Sequence, residues 1–386
     1  METMIGSTKV LGVLGAGQLG KMLAQAASPW DLHLHMLDPT AGAPASHLCE
    51  HFVQGDFRNR DTVLAFAKDC DVVTIEIEQV NVDALEELEE QGKAVHPSPK
   101  ALRIIQDKGA QKDFYTEHKI PTAAYTRYDS PADIDAAALT FPCVWKKCTE
   151  GYDGRGVKIL KTASDLEILP EGKCLIEDAV DVDTEIAVIA ARSPSGEVST
   201  FDPVEMSFHP EANLVEFLAA PARIPEAVAE AARSLAEHTI NAFDLCGLLA
   251  VEMFWDQQGR LLVNEVAPRP HNSGHHTIEA CVTSQYQQHL RAILELPLGD
   301  TSLRQPGVMI NVLGAEGFSG PVRYEGIEEV LSTPGAYLHL YGKAETRPFR
   351  KMGHLTVCAD TLDPAIKTAR KLQSVIRAVS KPRVTA

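Results

Sequence analysis

Apolar runs and amphipathic stretches take turns along the first third of the chain. Residues 9–14, Lys-Val-Leu-Gly-Val-Leu, predict a buried strand, and residues 18–27 carry helical spacing that stops before Ser28-Pro29. A second strand over 32–37 ends at Asp38-Pro39. A helix near 61–68, a strand over 72–77, a charged helix over 82–90 and a short strand over 94–96 follow. This alternation predicts a doubly wound parallel sheet, because parallel neighbours need a crossover and a helix usually supplies it.

The pattern shifts after Pro97-Ser98-Pro99. A helix is predicted over 100–118, with Lys108 and Lys112 on one face at i, i+4 spacing. A solvated basic stripe is the plain reading of that face. A lysine-bearing strand over 141–147 runs into a glycine-rich loop and returns over 157–160. An apolar strand over 174–180 ends in acids, and Glu185 opens another over 186–191. Strands over 247–254 and 261–266 flank a turn at 256–259. Strands over 308–313, 337–340 and 355–358, a helix over 364–378 and a frayed tail from Ser380 complete the chain. We expect a mixed α/β and α+β architecture in three domains, 1–99, 100–300 and 301–386, since 386 residues are too many for one core.

Composition narrows the partners. With 53 acidic against 36 basic residues the formal charge is −17, so the surface repels nucleic acid and anionic lipid at long range. No apolar run is long enough to span a bilayer, and the start lacks a basic region followed by an apolar stretch. A cytoplasmic protein is expected. Eight scattered cysteines without a Cys-x-x-Cys pair predict reduced, mostly buried thiols. Anionic substrates would require basic groups gathered locally against this charge.

Five stretches carry candidate chemistry. Gly15-Ala16-Gly17-Gln18-Leu19-Gly20 joins a strand to a helix, where anions bind backbone N–H groups. With Asp38 ending the next strand, the loop suits a dinucleotide, another phosphate ligand or a structural turn. Gly151-Tyr152-Asp153-Gly154-Arg155-Gly156-Val157 lacks the Gly-Lys-Ser/Thr of a P-loop, but a glycine hairpin can close over phosphates. Glu252 sits inside one apolar strand, and Asn264 and Glu265 inside the next. A hairpin would bring them together, and such oxygen ligands suit Mg²⁺ on nucleotide phosphates or a structural salt bridge. Ala267-Pro268-Arg269-Pro270-His271-Asn272-Ser273-Gly274-His275-His276 follows directly, with a histidine spacing that matches no common zinc motif. Residues 341–354, Tyr-Gly-Lys-Ala-Glu-Thr-Arg-Pro-Phe-Arg-Lys-Met-Gly-His, supply the basic cluster.

In this order the stretches resemble the ATP-grasp superfamily. Within it they resemble the N5-carboxyaminoimidazole ribonucleotide synthases of purine biosynthesis. The resemblance implies that ATP activates bicarbonate as carboxyphosphate, which carboxylates the amine of aminoimidazole ribonucleotide. It implies that Lys108 and Lys146 hold ATP phosphates under the loop Gly151, Tyr152, Asp153, Gly154, Arg155, Gly156 and Val157. Glu177, Asp178, Ala179, Val180 and Glu185 would line the adenine and ribose pocket. Glu252 and Glu265 would bind Mg²⁺ with Asn264 beside the phosphates. Tyr152, Asp153, Arg155, His271 and Asn272 would face bicarbonate and the amine. Gly17, Gln18, Leu19, Glu76, Lys343, Arg350 and Lys351 would grip the ribonucleotide. The resemblance also implies a homodimer that passes its product to a separate mutase.

The chain departs from the family pattern in three places: Thr74-Ile75-Glu76-Ile77-Glu78-Gln79-Val80 lacks an aromatic, His209 sits one residue further from Val204-Glu205, and Phe349 replaces a glycine. The rival readings are a formate-using or biotin-dependent ATP-grasp enzyme, an NAD-dependent oxidoreductase and a non-catalytic nucleotide-sensing module.

Overall fold

The computed structural model describes residues 4–149, 156–208 and 215–380. Five parallel strands stand in the spatial order His51–Gln54, His33–Asp38, Val10–Leu14, Val72–Ile75, Ala94–His96. Helices Gln18–Ala27, Arg60–Ala67 and Val82–Glu90 make crossovers. The winding changes direction between Val10–Leu14 and Val72–Ile75. The loops after those two strands, carrying Gly15 and Glu76, therefore meet over one crevice.

The helix expected over 100–118 is two helices, Pro99–Ile105 and Lys108–Glu117. Asp107 makes the break. Its backbone is extended, and its carboxylate accepts from the N–H groups of Gly109 and Ala110, an N-cap that starts a new helix. Lys108 thereby becomes the first residue of a helix whose start faces the central cleft.

A four-stranded antiparallel sheet follows, in the order Tyr125–Tyr128, Cys174–Asp178, Cys143–Lys147, Val157–Leu160. It has its own small core, built on Trp145, Cys143, Leu160 and Ile176. A short connection leads from Cys174–Asp178 into Val182–Arg192, a central strand of a nine-stranded sheet. That sheet runs across residue 300: Val215–Ala220 pairs with Gly307–Leu313, which pairs with Lys351–Cys358, which pairs with the edge strand Ala336–Leu340. Residues of the middle and C-terminal thirds are thus held on one hydrogen-bonded ladder.

Helix Glu226–Ala242 lays Ala232, Ala236 and Ile240 against Ile186, Val188 and Val251 of this sheet. Helix Gln285–Ile293 packs Tyr286, Leu290 and Ile293 against Met22 and Leu23 of the N-terminal unit. This contact seats the parallel sheet against the larger one. The C-terminal helix is Leu362–Gln373, shorter than its predicted span, and the chain returns as the strand Arg377–Ser380 on Gly320–Glu325. No helix among the described residues is long and apolar enough to cross a membrane.

Candidate functional site

The antiparallel hairpin Gly247–Asp256/Leu261–Ala267 sets Glu252 directly opposite Glu265, with a register shift just after the pair. Like charges across a ladder repel. An ammonium and an imidazole stand beside them: Lys108 Nζ donates to Glu265, and His271 Nε2 lies 3.6 Å from Glu252 Oε1. The Lys108 ammonium holds the Glu265 carboxyl well below the usual carboxylate range. Burial, and then the charge of Glu265, push the Glu252 carboxyl up. Such a pair, one acid ionised and one driven toward its neutral form, is short of positive charge. Among the described residues no three His, Cys, Asp or Glu side chains converge to hold a metal on their own. The hairpin therefore fits a hard divalent cation whose other oxygen ligands come from phosphate and water.

Deeper in the cleft the structure differs from the expectation for Lys112. Lys112 is no solvated stripe: it is 2% exposed, and its Nζ lies 2.9 Å from Glu177 Oε1. Lys146 Nζ lies 2.8 Å from Glu177 Oε2 and donates to Asn264 Oδ1 at 2.9 Å. Glu177 is itself 3% exposed. Its carboxylate bridges the two lysines. Burial disfavours its ionisation, but the two ammonium groups outweigh that and keep its carboxyl below the usual range. Lys112 also donates to Thr122, whose hydroxyl donates to the Val263 carbonyl at 2.7 Å. The small sheet, the Lys108–Glu117 helix and the acidic hairpin are braced together at this point.

Beyond Glu177, Asp178 and Ala179 are exposed and Val180 is half-buried, in the connection between the two sheets. Glu185 is half-buried. Burial first, and then Glu265, push its carboxyl up to about 7. Val157 pairs with Lys146 across the ladder, and the Gly156 carbonyl accepts from Lys147 N–H at 2.8 Å. Gly151, Tyr152, Asp153, Gly154, Arg155 and His209 lie outside the described residues.

The first glycine loop is filled by the protein's own acids. Ala16 N–H donates to Asp38 Oδ2 at 3.0 Å, Gly17 N–H to Glu76 Oε1 at 2.7 Å and Gly20 N–H to Glu76 Oε2 at 2.5 Å. A carboxylate stands where a dinucleotide would set its pyrophosphate. Asp38, which also accepts from Thr40 N–H at 2.8 Å, is not free for a ribose. This geometry removes the dinucleotide reading of the loop. Gly15 has φ +104°, and a Cβ there would lie 2.2 Å from Glu76 Cγ. Gly15→Ala is therefore expected to cost about 2–4 kcal/mol through backbone strain and displacement of Glu76. A thermal melt lowered by several degrees is the readout, and an unchanged melt would mean that the loop relaxes freely.

Gln18 meets the C-terminal basic stretch. Lys343 Nζ donates to Gln18 Oε1 and to the Lys351 carbonyl, each at 2.7 Å. Lys351 is close enough to Glu252 to act on its ionisation. Arg350 turns to its own loop, donating to the Glu345 carbonyl at 2.6 Å. Leu19 packs its side chain against the N-terminal core.

The turn after the hairpin is fixed by an amide clamp. Gln285 accepts from His271 N–H and donates to the His271 carbonyl, both at 2.8 Å. His271 Nδ1 lies 2.9 Å from Ser273 Oγ. Asn272 and Asn311 exchange side-chain hydrogen bonds of 2.9 and 3.0 Å. His275 faces Gln285 and His276 the Ser273 carbonyl, so the three histidines do not converge. Arg269 Nη2 lies 2.8 Å from Glu78 Oε1, tying this turn to the loop that carries Glu76. Lys112 was named but read as part of a solvated stripe, while Gln285, Asn311 and the pairing of Arg269 with Glu78 escaped the sequence reading. Asn311, a lone amide inside Val308–Leu313, carried the one visible signal.

Three family models match successive stretches of the chain. Residues 8–106 match the ribonucleotide synthetase preATP-grasp domain, 113–286 the ATP-grasp domain, and 307–368 the phosphoribosylaminoimidazole carboxylase C-terminal domain. The N5-carboxyaminoimidazole ribonucleotide synthase of Synechococcus elongatus is 38% identical, over 94% of this chain and 92% of that protein. The phosphoribosylaminoimidazole carboxylase of Saccharomyces cerevisiae is 37% identical, and the chain spans 64% of its length. The crystal structure of N5-carboxyaminoimidazole ribonucleotide synthetase from Thermotoga maritima superposes with a TM-score of 0.90 at 40% identity, covering 97% of this chain and all of that one. An Aspergillus clavatus N5-carboxyaminoimidazole synthase solved with ADP and 5-aminoimidazole ribonucleotide gives 0.86 at 34% identity, covering 95% of this chain and 98% of that one.

Proposed function

We infer the chemistry of the cleft from one premise: the chain belongs to the N5-carboxyaminoimidazole ribonucleotide synthase family of ATP-grasp ligases. It is an ATP-dependent ligase of purine biosynthesis that carboxylates aminoimidazole ribonucleotide. On our reading the carbon source is bicarbonate. ATP phosphorylates it to carboxyphosphate, and that anhydride, or CO₂ released from it, carboxylates the exocyclic amine. ADP and phosphate leave.

The observation that carries this reading is convergence. The facing acids Glu252 and Glu265 lie within electrostatic reach of Lys108, Lys146, His271 and Lys351, which come from the middle and C-terminal thirds of the chain. Lys108 and Lys146 would neutralise the phosphates of ATP, with Asn264 beside them. Asp178, Ala179 and Val180 would supply backbone to the adenine, and Glu185 would meet the ribose. Mg²⁺ held by Glu252 and Glu265 would neutralise the phosphate charge that develops during transfer. His271 and Asn272, with Tyr152, Asp153 and Arg155, would orient bicarbonate and the amine. Gly17, Gln18, Leu19, Glu76, Lys343, Arg350 and Lys351 would hold the ribonucleotide. Carboxyphosphate hydrolyses readily, so the loop at 151–157 would have to exclude water over it. We further expect a cytoplasmic homodimer whose product passes to a separate mutase.

ADP release with Mg-ATP and bicarbonate, with and without aminoimidazole ribonucleotide, tests the reading. Strong stimulation by the ribonucleotide supports it. Stimulation by formate with another ribonucleotide keeps the ATP-grasp chemistry and overturns the substrate. Tight NAD binding without turnover overturns the reading altogether.

A further inference from the structure

Behind the His271–Asn272 turn three imidazoles form a column. The His275 and His354 rings lie 4.7 Å apart, and His339 and His354 stack at 4.5 Å with 9° between their planes. His339 and His354 are cross-strand partners at the sheet edge, while His275 comes from the turn of the middle third. His275 and His354 are fully buried. At the outer end His339 Nε2 lies 2.6 Å from Glu279 Oε1. His275 Nδ1 accepts from the Gln285 amide at 3.1 Å and lies 3.3 Å from Tyr286 Oη. His354 Nδ1 lies 3.1 Å from Tyr341 Oη.

The column is a poor choice for stability alone. Among the described residues His275 Nε2, His354 Nε2 and Glu279 Oε2 are buried without a partner, and each such atom disfavours folding. Apolar side chains of the same volume would pack there without that penalty. What the column gains is a fixed hydrogen-bonding surface for Tyr341, which is 1% exposed. The Tyr341 ring carries the Lys343 ammonium 5.5 Å from its centre, within cation–π range, while Lys343 reaches Gln18 of the first glycine loop.

We propose that Tyr341 is a positioning residue for the ribonucleotide. Anchored by its hydroxyl to His354, it holds the Lys343 ammonium over its ring at the junction of the N-terminal and C-terminal units, and so sets affinity for the substrate's phosphate. The imidazole column ties that grip to the His271–Asn272 turn, so the two ends of the ribonucleotide are held by one packed block. This rests on the reading above that Lys343 contacts the ribonucleotide.

The test is steady-state kinetics of Tyr341→Phe, His354→Asn, their double variant and Lys343→Ala, with thermal melts. Tyr341→Phe keeps the ring and loses one hydrogen bond. The KM for aminoimidazole ribonucleotide is expected to rise roughly five-fold, the worth of about one such bond, while the KM for ATP moves less than about two-fold. If both side chains act through the same O–H···N contact, the double variant is no worse than His354→Asn alone. A folded Tyr341→Phe enzyme with unchanged ribonucleotide KM, or with both KM values raised equally, overturns the proposal. Lys343→Ala separates the two levels. If it leaves the ribonucleotide KM unchanged, the reading of Lys343 fails and takes the proposal with it. If it raises that KM and Tyr341→Phe does not, the proposal alone fails.

Discussion

Glu265→Gln is expected to lower ribonucleotide-stimulated ADP release by about 10²–10³-fold while leaving the protein folded, because it removes charge from where phosphate and cation must be balanced. Two features of the structure separate the two effects. The Glu265 side chain is 43% exposed, so water can solvate both the new amide and Lys108, the partner left behind. A partly exposed pair contributes little to stability, about 1 kcal/mol or less. The charge balance of the site changes far more. Glu265 carries the negative charge, since Lys108 holds its carboxyl low, whereas burial and Glu265 itself push the facing Glu252 up. Removing Glu265 leaves the hairpin one carboxylate short, and burial still disfavours ionisation of the Glu252 that remains. Rapid-quench or coupled assay of ADP, beside a thermal melt of the same preparation, separates the outcomes. Near-normal turnover in a folded Glu265→Gln protein would show that this hairpin does not hold the cation.

The fold was legible where local pattern and packing agree. Gln18–Ala27 and Val82–Glu90 fall where their apolar stripes place them. The facing of Glu252 and Glu265 follows from the length of the turn between two strands. Helix Glu226–Ala242 was silent because its buried face is mostly alanine, which fills space against a sheet with little hydrophobic contrast. The edge strand His51–Gln54 offers only Phe52 and Val53 as apolar signal. The pattern over 100–118 runs through the break between two helices because Asp107 fits helical spacing, and only the folded chain turns its carboxylate onto the next turn as a cap. In the site, residue types were legible and directions were not. Lys108 and Lys112 share a helix face, yet one reaches Glu265 and the other Glu177, acids that lie in different sheets. No spacing rule assigns partners brought together by tertiary folding, and the same holds for Asn272 with Asn311 and for Gln285 with His271.

The Lys112–Glu177–Lys146 group yields the largest expected effect on stability, with opposite weights for its members. Glu177→Gln keeps the volume and removes the carboxylate charge that two buried ammonium groups share, 2% and 7% exposed. Breaking a buried ion pair by deleting one partner costs about 3–5 kcal/mol, because the remaining charge has neither water nor counter-ion. Here two buried lysines are left facing each other without their shared counter-ion. A thermal midpoint about 10 °C lower is expected, together with weakened ATP binding as Lys146 loses its support. Lys112→Met removes a cation and leaves Lys146 and Glu177 as a neutral pair, so its effect should stay within about 1–2 kcal/mol. The ionisation of Lys112 points the same way. Burial, against the attraction of Glu177, lowers its ammonium from 10.5 to about 8. The folded chain therefore binds that proton less tightly than the unfolded chain, and the charge disfavours folding at neutral pH. That penalty lifts as pH rises from about 8 toward 10.5, where only the unfolded chain still holds the proton. Over this window the wild type should gain stability relative to Lys112→Met, read as diverging urea midpoints. A Glu177→Gln protein as stable as wild type, beside a Lys112→Met protein that fails to fold, would show that Lys112 rather than Glu177 organises the brace between the two halves of the cleft.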